Sequence, residues 1–145
     1  GGRSVPLAPE LFSIMADARL ALGQISEERY SCDTADGAEK DRQSALRRLA
    51  RCVCADLEEI GERSALAIAQ QACRRQKDIL VAAISRQAKE HCLEKVVAAG
   101  TGEGLIVESA AFLGMECVRI SERYETRISD VFPAYAVARL GEMAD

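Results

Sequence analysis

Apolar residues recur at Leu11, Ile14, Met15, Ala18 and Leu22, at spacings of three and four. This predicts a first helix over roughly Glu10 to Leu22, set off by Pro6 and Pro9 and ended by Gly23. A polar loop, Gln24 to Gly37, follows. A second stripe, Leu46, Leu49, Ala50 and Val53, predicts a helix from about Ala38 to Ala55. Arg42, Arg47, Arg48 and Arg51 fall mostly off that stripe, as expected of a solvated basic face or one that meets an anionic substrate. A third helix, capped by Asp56 or Ser64, should continue to about His91. It carries two adjacent stripes, Ala65, Ile68, Ala72, Ile79, Ala83 and Leu66, Ala69, Cys73, Leu80, Ile84. A face that wide packs against more than one neighbour.

Then the pattern changes. Val96-Val97-Ala98-Ala99 runs into glycines at 100, 102 and 104, and Leu105, Ile106, Ala110, Phe112 and Leu113 resume helical spacing up to Gly114. Glu116-Cys117-Val118-Arg119-Ile120 reads as a second strand. Strand, tight turn, helix and strand imply two parallel strands, Val96 to Ala99 and Cys117 to Ile120, joined by a right-handed crossover. Asp130-Val131-Phe132-Pro133 leads into a last helix, Ala134 to about Met143. The fold class is α/β and helix-rich. Parallel strands are normally covered on both faces within a larger sheet. Two strands cannot cover this much helical apolar face, so we expect the sheet to be completed by a missing N-terminal half or a partner chain.

The glycine turn is the first candidate for chemistry. Amides in the first turn of a helix lack intrahelical partners, and the helix dipole favours an anion there. Gly100, Thr101, Gly102, Glu103 and Gly104 therefore form a candidate phosphate or nucleotide loop; a tight packing turn has the same composition. Glu103 would repel an anion unless a metal ion or Lys95 intervened, and an acid in this place also stabilises a helix. The second candidate is Cys32-Asp33-Thr34-Ala35-Asp36-Gly37. Two carboxylates so close suit Mg²⁺ or substrate orientation; an Asx turn with a helix N-cap would use the same residues.

Composition narrows the class. The 145 residues, 29% charged and 48% hydrophobic, suit one globular domain or part of one. A net charge of −4 argues against general nucleic-acid binding. No apolar run approaches the roughly 20 residues that span a bilayer, and no signal peptide is visible. The six cysteines lack paired metal spacing and His91 has no second pair, so reduced thiols in a cytoplasmic protein are expected. The chain opens on Gly1-Gly2 without an initiator Met, as a processed chain or a piece of a longer one would.

Three stretches together carry a resemblance. They are Arg3 to Asp17 (RSVPLAPELFSIMAD), Thr34 to Lys40 (TADGAEK), and the Gly100 to Gly104 turn with the tail Ile128 to Leu140 (ISDVFPAYAVARL). The chain resembles the C-terminal half of the hydantoinase-A/oxoprolinase-like proteins linked to tetrahydromethanopterin one-carbon transfer, whose archaeal relatives are methanofuran-biosynthesis synthases. The resemblance implies that residues 1–145 form the second lobe of the two-lobed fold shared by sugar kinases, actin and Hsp70. It implies a transferase that joins an aminomethyl-furan carrying a diphosphate to the phenol of γ-glutamyltyramine. Asp33 and Asp36 would hold Mg²⁺, Lys40 or an arginine of the second helix would pair with remaining charge, Thr34 and Gly37 would line the substrate, and the Gly102 backbone would approach a phosphate. The acidic loop and the glycine turn would share one cleft. The implied partners are a phosphorylated small molecule, the N-terminal half or a partner chain, and a second copy in a homodimer. Alternatives are an ATP-dependent kinase or hydrolase of the same fold and a non-catalytic helical interaction module.

Overall fold

The computed structural model describes residues 4–144. The element order is α1 (Met15–Ala21), a single 3-10 turn (Glu27–Arg29), α2 (Arg42–Arg51), α3 (Leu57–His91), β1 (Lys95–Ala98), α4 (Glu103–Phe112), β2 (Glu116–Arg119), α5 (Ile120–Arg123), α6 (Thr126–Asp130) and α7 (Phe132–Ala144). The chain is a helix-rich α/β protein. It divides into two compact units, one up to Gln76 and one from Lys77.

Both early helices are shorter than their stripes predict, and side-chain caps are the reason. The Asp17 carboxylate accepts the Ile14 amide at 2.9 Å and the Ser13 hydroxyl at 3.0 Å, so α1 starts at Met15 rather than Glu10. Asp41 accepts the Ser44 amide at 2.9 Å, which starts α2 at Arg42 rather than Ala38. At the other end Cys54, at φ 55°, turns the chain out of the helix before Ala55. Gly61, at φ 74° and ψ 159°, breaks α3 one turn after it begins. That region of backbone space is open essentially to glycine alone.

The core of the first unit joins Ala18, Leu20 and Ala21 of α1 to Ala45, Leu46, Leu49 and Ala50 of α2, with Leu57, Ala65 and Ala69 of α3 closing it. At its centre is an ion pair. Arg48, expected on a solvated face, is fully buried with Asp17. Its Nε donates to Asp17 Oδ1 at 2.8 Å, and the buried Tyr30 hydroxyl donates to the same oxygen at 2.8 Å. Burial alone would lower the Arg48 pKa; the hydrogen bond and charge of Asp17 outweigh it and raise it. Burial, then the bond to Asp17, raises the Tyr30 phenol.

In the second unit β1 and β2 pair in parallel, with Val96 opposite Cys117 and Ala98 opposite Arg119, and α4 packs on both strands. This is the crossover order read from the sequence. Ala98 is fully buried, whereas Val97, on the opposite face of the strand, is 61% exposed. Phe112, Val137, Leu140 and Met143 are exposed as well. The last helix begins two residues earlier than its pattern predicts. Pro133 falls in its first turn, where a missing N–H costs no helical bond.

Glu103, in the first turn of α4, ties this unit together. Its carboxylate accepts the Ser121 amide at 3.1 Å, the Ser129 hydroxyl at 2.8 Å, Arg119 Nε at 3.1 Å and the Ser121 hydroxyl. Burial pushes this carboxyl up, but the two serine hydroxyls, the Ser121 amide and Arg119 outweigh it and hold the pKa at about 2.

Two predictions follow from these clusters. Arg48→Met, by leaving Asp17 buried without its cation, should cost about 3–5 kcal/mol in a denaturant melt; a loss under about 1 kcal/mol would remove the pair from the centre of the fold. Glu103→Gln should cost about 2 kcal/mol at neutral pH. The Glu103 pKa is lower in the folded chain than its ordinary 4.5, so its stabilisation is complete above that value. It drains as pH falls from about 4.5 through about 2, and the melting temperatures of parent and variant should converge over that window. A constant gap down to pH 2 would refute the assignment.

Candidate functional site

The glycine turn connects β1 to α4. Gly100 has φ +87°, a left-handed conformation that favours glycine, and Gly102 has φ −90°. The position where a side chain would strain the backbone is therefore Gly100. A Cβ at Gly102 would meet nothing within 4 Å. The Gly100 amide donates to Ser129 Oγ at 3.3 Å, and the Gly100 carbonyl accepts the Glu103 amide at 3.0 Å. The Gly102 carbonyl accepts the Leu105 amide at 3.0 Å. The amides of Thr101, Gly102 and Gly104 make no hydrogen bond among the described residues. Three donors thus collect at the positive end of a ten-residue helix.

The cation that answers Glu103 is Arg119, not Lys95. Lys95 Nζ pairs with Glu116 at 2.9 Å, both ends exposed. Sequence reasoning missed Arg119, Ser121 and Ser129. A signal for Arg119 was present: parallel register places it opposite Ala98, at the entry to the turn.

The acidic loop lies in the first unit and the glycine turn in the second. Asp36 Oδ1 accepts the Ala38 amide at 3.1 Å, which closes an Asx turn, and lies 3.2 Å from Arg48 Nη1. Asp36 Oδ2 lies 3.0 Å from Arg51 Nη1. Burial raises this carboxyl, but the Ala38 amide and Arg48 outweigh that and lower its pKa. Asp33 is exposed and makes no hydrogen bond among the described residues. The Thr34 hydroxyl donates to the Ala38 carbonyl at 2.9 Å, and Gly37 turns the loop at φ +70°. Lys40 Nζ sits 5.6 Å from the centre of the Tyr30 ring.

These contacts do not fit a Mg²⁺ pair. Both Asp36 oxygens face guanidinium groups, which compete with a cation, and Asp33 alone offers one ligand side chain. Among the described residues no three His, Cys, Asp or Glu side chains come together to hold a metal. What the loop does build is a chain of alternating charge: Asp17, Arg48, Asp36, Arg51. It runs from a fully buried carboxylate to an arginine whose side chain is 46% exposed.

Among the described residues no disulfide joins the cysteines, and no helix is long and apolar enough to cross a membrane.

Comparison with known proteins bears on the whole chain. It is 35% identical over 139 residues to the (4-{4-[2-(gamma-L-glutamylamino)ethyl]phenoxymethyl}furan-2-yl)methanamine synthase of Methanocaldococcus jannaschii, covering 96% of this chain and 42% of the relative. It is 28% identical over 138 residues to the synthase of the same name from Methanococcus vannielii, covering 92% of this chain and 62% of that relative. The chain thus spans about half the length of these curated relatives. The hydantoinase/oxoprolinase family profile matches residues 1–144, and the chain belongs to that family.

Proposed function

We propose that this chain is the C-terminal part of a synthase of methanofuran biosynthesis in the cytoplasm. The enzyme couples the phenol of γ-glutamyltyramine to an aminomethyl-furan and displaces diphosphate. The observation that carries the reading is the 35% identity, over 96% of this chain, to a synthase named for the coupled aryl furfuryl ether. In the reaction the phenol loses its proton to the departing diphosphate or to solvent. Its oxygen forms a C–O bond to the furfuryl carbon, and the C–O bond to diphosphate breaks, with the electron pair leaving on the diphosphate.

The glycine turn supports the part that this chain would play. The unpaired amides of Thr101, Gly102 and Gly104 suit phosphate oxygens, whose charge grows as the bond breaks. Glu103 does not oppose them, because Arg119 and two serines neutralise and bind its carboxylate. The exposed face of β1 at Val97 supports a second part of the reading, a larger sheet completed by the rest of the protein as in an actin-like lobe.

The first test is direct. The intact protein, given γ-glutamyltyramine and the furfuryl diphosphate, should release diphosphate and yield the coupled ether by mass; ATP hydrolysis without ether would favour the kinase or hydrolase alternative. The second test is Gly102→Val, which enters open space at an ordinary φ. It should weaken inorganic diphosphate binding about tenfold or more in titration calorimetry, with the melting temperature changed by no more than a degree or two. Binding equal to the parent would make the turn a packing device. Gly100→Ala is the structural control and should cost about 1–2 kcal/mol through its positive φ.

A further inference from the structure

Beside Arg51 in the first unit lies an open groove of about 240 Å³, lined by Phe12, Arg51, Cys54, Ala55, Asp56 and Glu59. We infer that this groove binds the free amino-acid head of a γ-glutamyl amide, with its α-carboxylate on Arg51 and its α-ammonium on Asp56. The identity of the ligand rests on the synthase reading; the geometry does not.

Two features of Arg51 point to a carboxylate. Asp36 holds Nη1 at 3.0 Å and is itself fixed by Arg48, which is fully buried against Asp17. The guanidinium is therefore aimed from inside the protein. Its Nε and Nη2 take no hydrogen bond among the described residues. Those two donors form the side of the fork that matches a carboxylate in two parallel bonds. The anchor itself is under-satisfied. Arg48 Nη2 lies 2.8 Å from Asp17 Oδ1 but is not aligned with it, and it has no hydrogen-bond acceptor although buried.

The opposite charge lines the same groove. The Asp56 amide donates to Glu59 Oε2 at 2.8 Å, but the Asp56 carboxylate has no partner among the described residues. A free acid and a free guanidinium edge in one groove complement a zwitterion. Phe12 adds an apolar wall for the methylene chain. A γ-linked glutamyl group, with its side-chain carboxyl already spent in the amide, presents that zwitterionic head. The group is named in the relatives' product.

The test uses the intact protein and three probes in titration calorimetry: γ-glutamyltyramine, glutaryltyramine, which lacks the ammonium, and tyramine, which lacks the whole head. Arg51→Gln should weaken γ-glutamyltyramine and glutaryltyramine about tenfold or more. Arg51→Lys, which keeps the charge and loses the fork, should not restore them. Asp56→Asn should weaken γ-glutamyltyramine alone. Tyramine binding and the melting temperature should stay at parental values in all three variants. If Arg51→Gln and Asp56→Asn bind γ-glutamyltyramine like the parent, the inference is overturned. The two readings fail separately. Turnover of γ-glutamyltyramine with a parental KM in both variants leaves the synthase and removes the groove. Binding of γ-glutamyl-p-nitroanilide that depends on Arg51, in a protein that forms no ether, leaves the groove and removes the synthase. Absence of both overturns both.

Discussion

The buried pair of Asp17 and Arg48 is the constraint on which the first unit depends. One carboxylate serves four structural ends at once. It starts α1, receives the Tyr30 hydroxyl that closes the loop after that helix, neutralises the buried Arg48, and through that arginine fixes Asp36. Replacing such a pair by apolar residues would often be neutral or stabilising. Here it ties α2 to α1 by a directional contact, which apolar packing between the two helices does not supply. The exposed end of the same chain of charge, Arg51, inherits that fixed geometry.

The second unit solves the same problem with less burial. Its two strands and α4 leave much apolar surface open, so packing alone constrains them weakly. Glu103 compensates. By receiving donors from β2, α5 and α6, it fixes three elements to the start of α4. The same contacts remove the charge that would repel an anion from the turn. Structural clasp and electrostatic clearance are one event, so the placing of an acid in this loop is compatible with a phosphate site.

What could be read from the sequence divides along physical lines. Apolar periodicity located the long helix, the two strands and their parallel order, because those follow from local spacing and from the handedness of crossovers. It mislaid the starts of α1 and α2, because Asp17 and Asp41 cap from inside the predicted spans. It also put Arg48 in solvent. Periodicity sorts residues by polarity, and a buried arginine is signalled only by its distant partner, thirty-one residues away. The pairing of Asp33 with Asp36 failed as a cation site for the same reason: proximity in sequence says nothing of the arginines that reach Asp36 first. The short helices α5 and α6 carry no stripe long enough to read. The hydroxyls of Ser121 and Ser129 matter through contacts made across the fold, to which local pattern is blind.

Each unit offers a different kind of charge, and each kind suits a different task. The second offers uncharged donors, backbone amides at a helix start whose field is fixed and needs no counter-ion. Such donors suit an oxygen whose charge changes during reaction, since they stabilise the growing charge without rearrangement. The first offers full charges held by other full charges. These suit a group whose charge stays constant, a carboxylate or ammonium that is recognised and not transformed. Interactions of that kind strengthen substrate and transition state alike, and so act on binding and selectivity. On this division the glycine turn is where chemistry would be assisted, and the arginine chain is where the correct partner would be chosen.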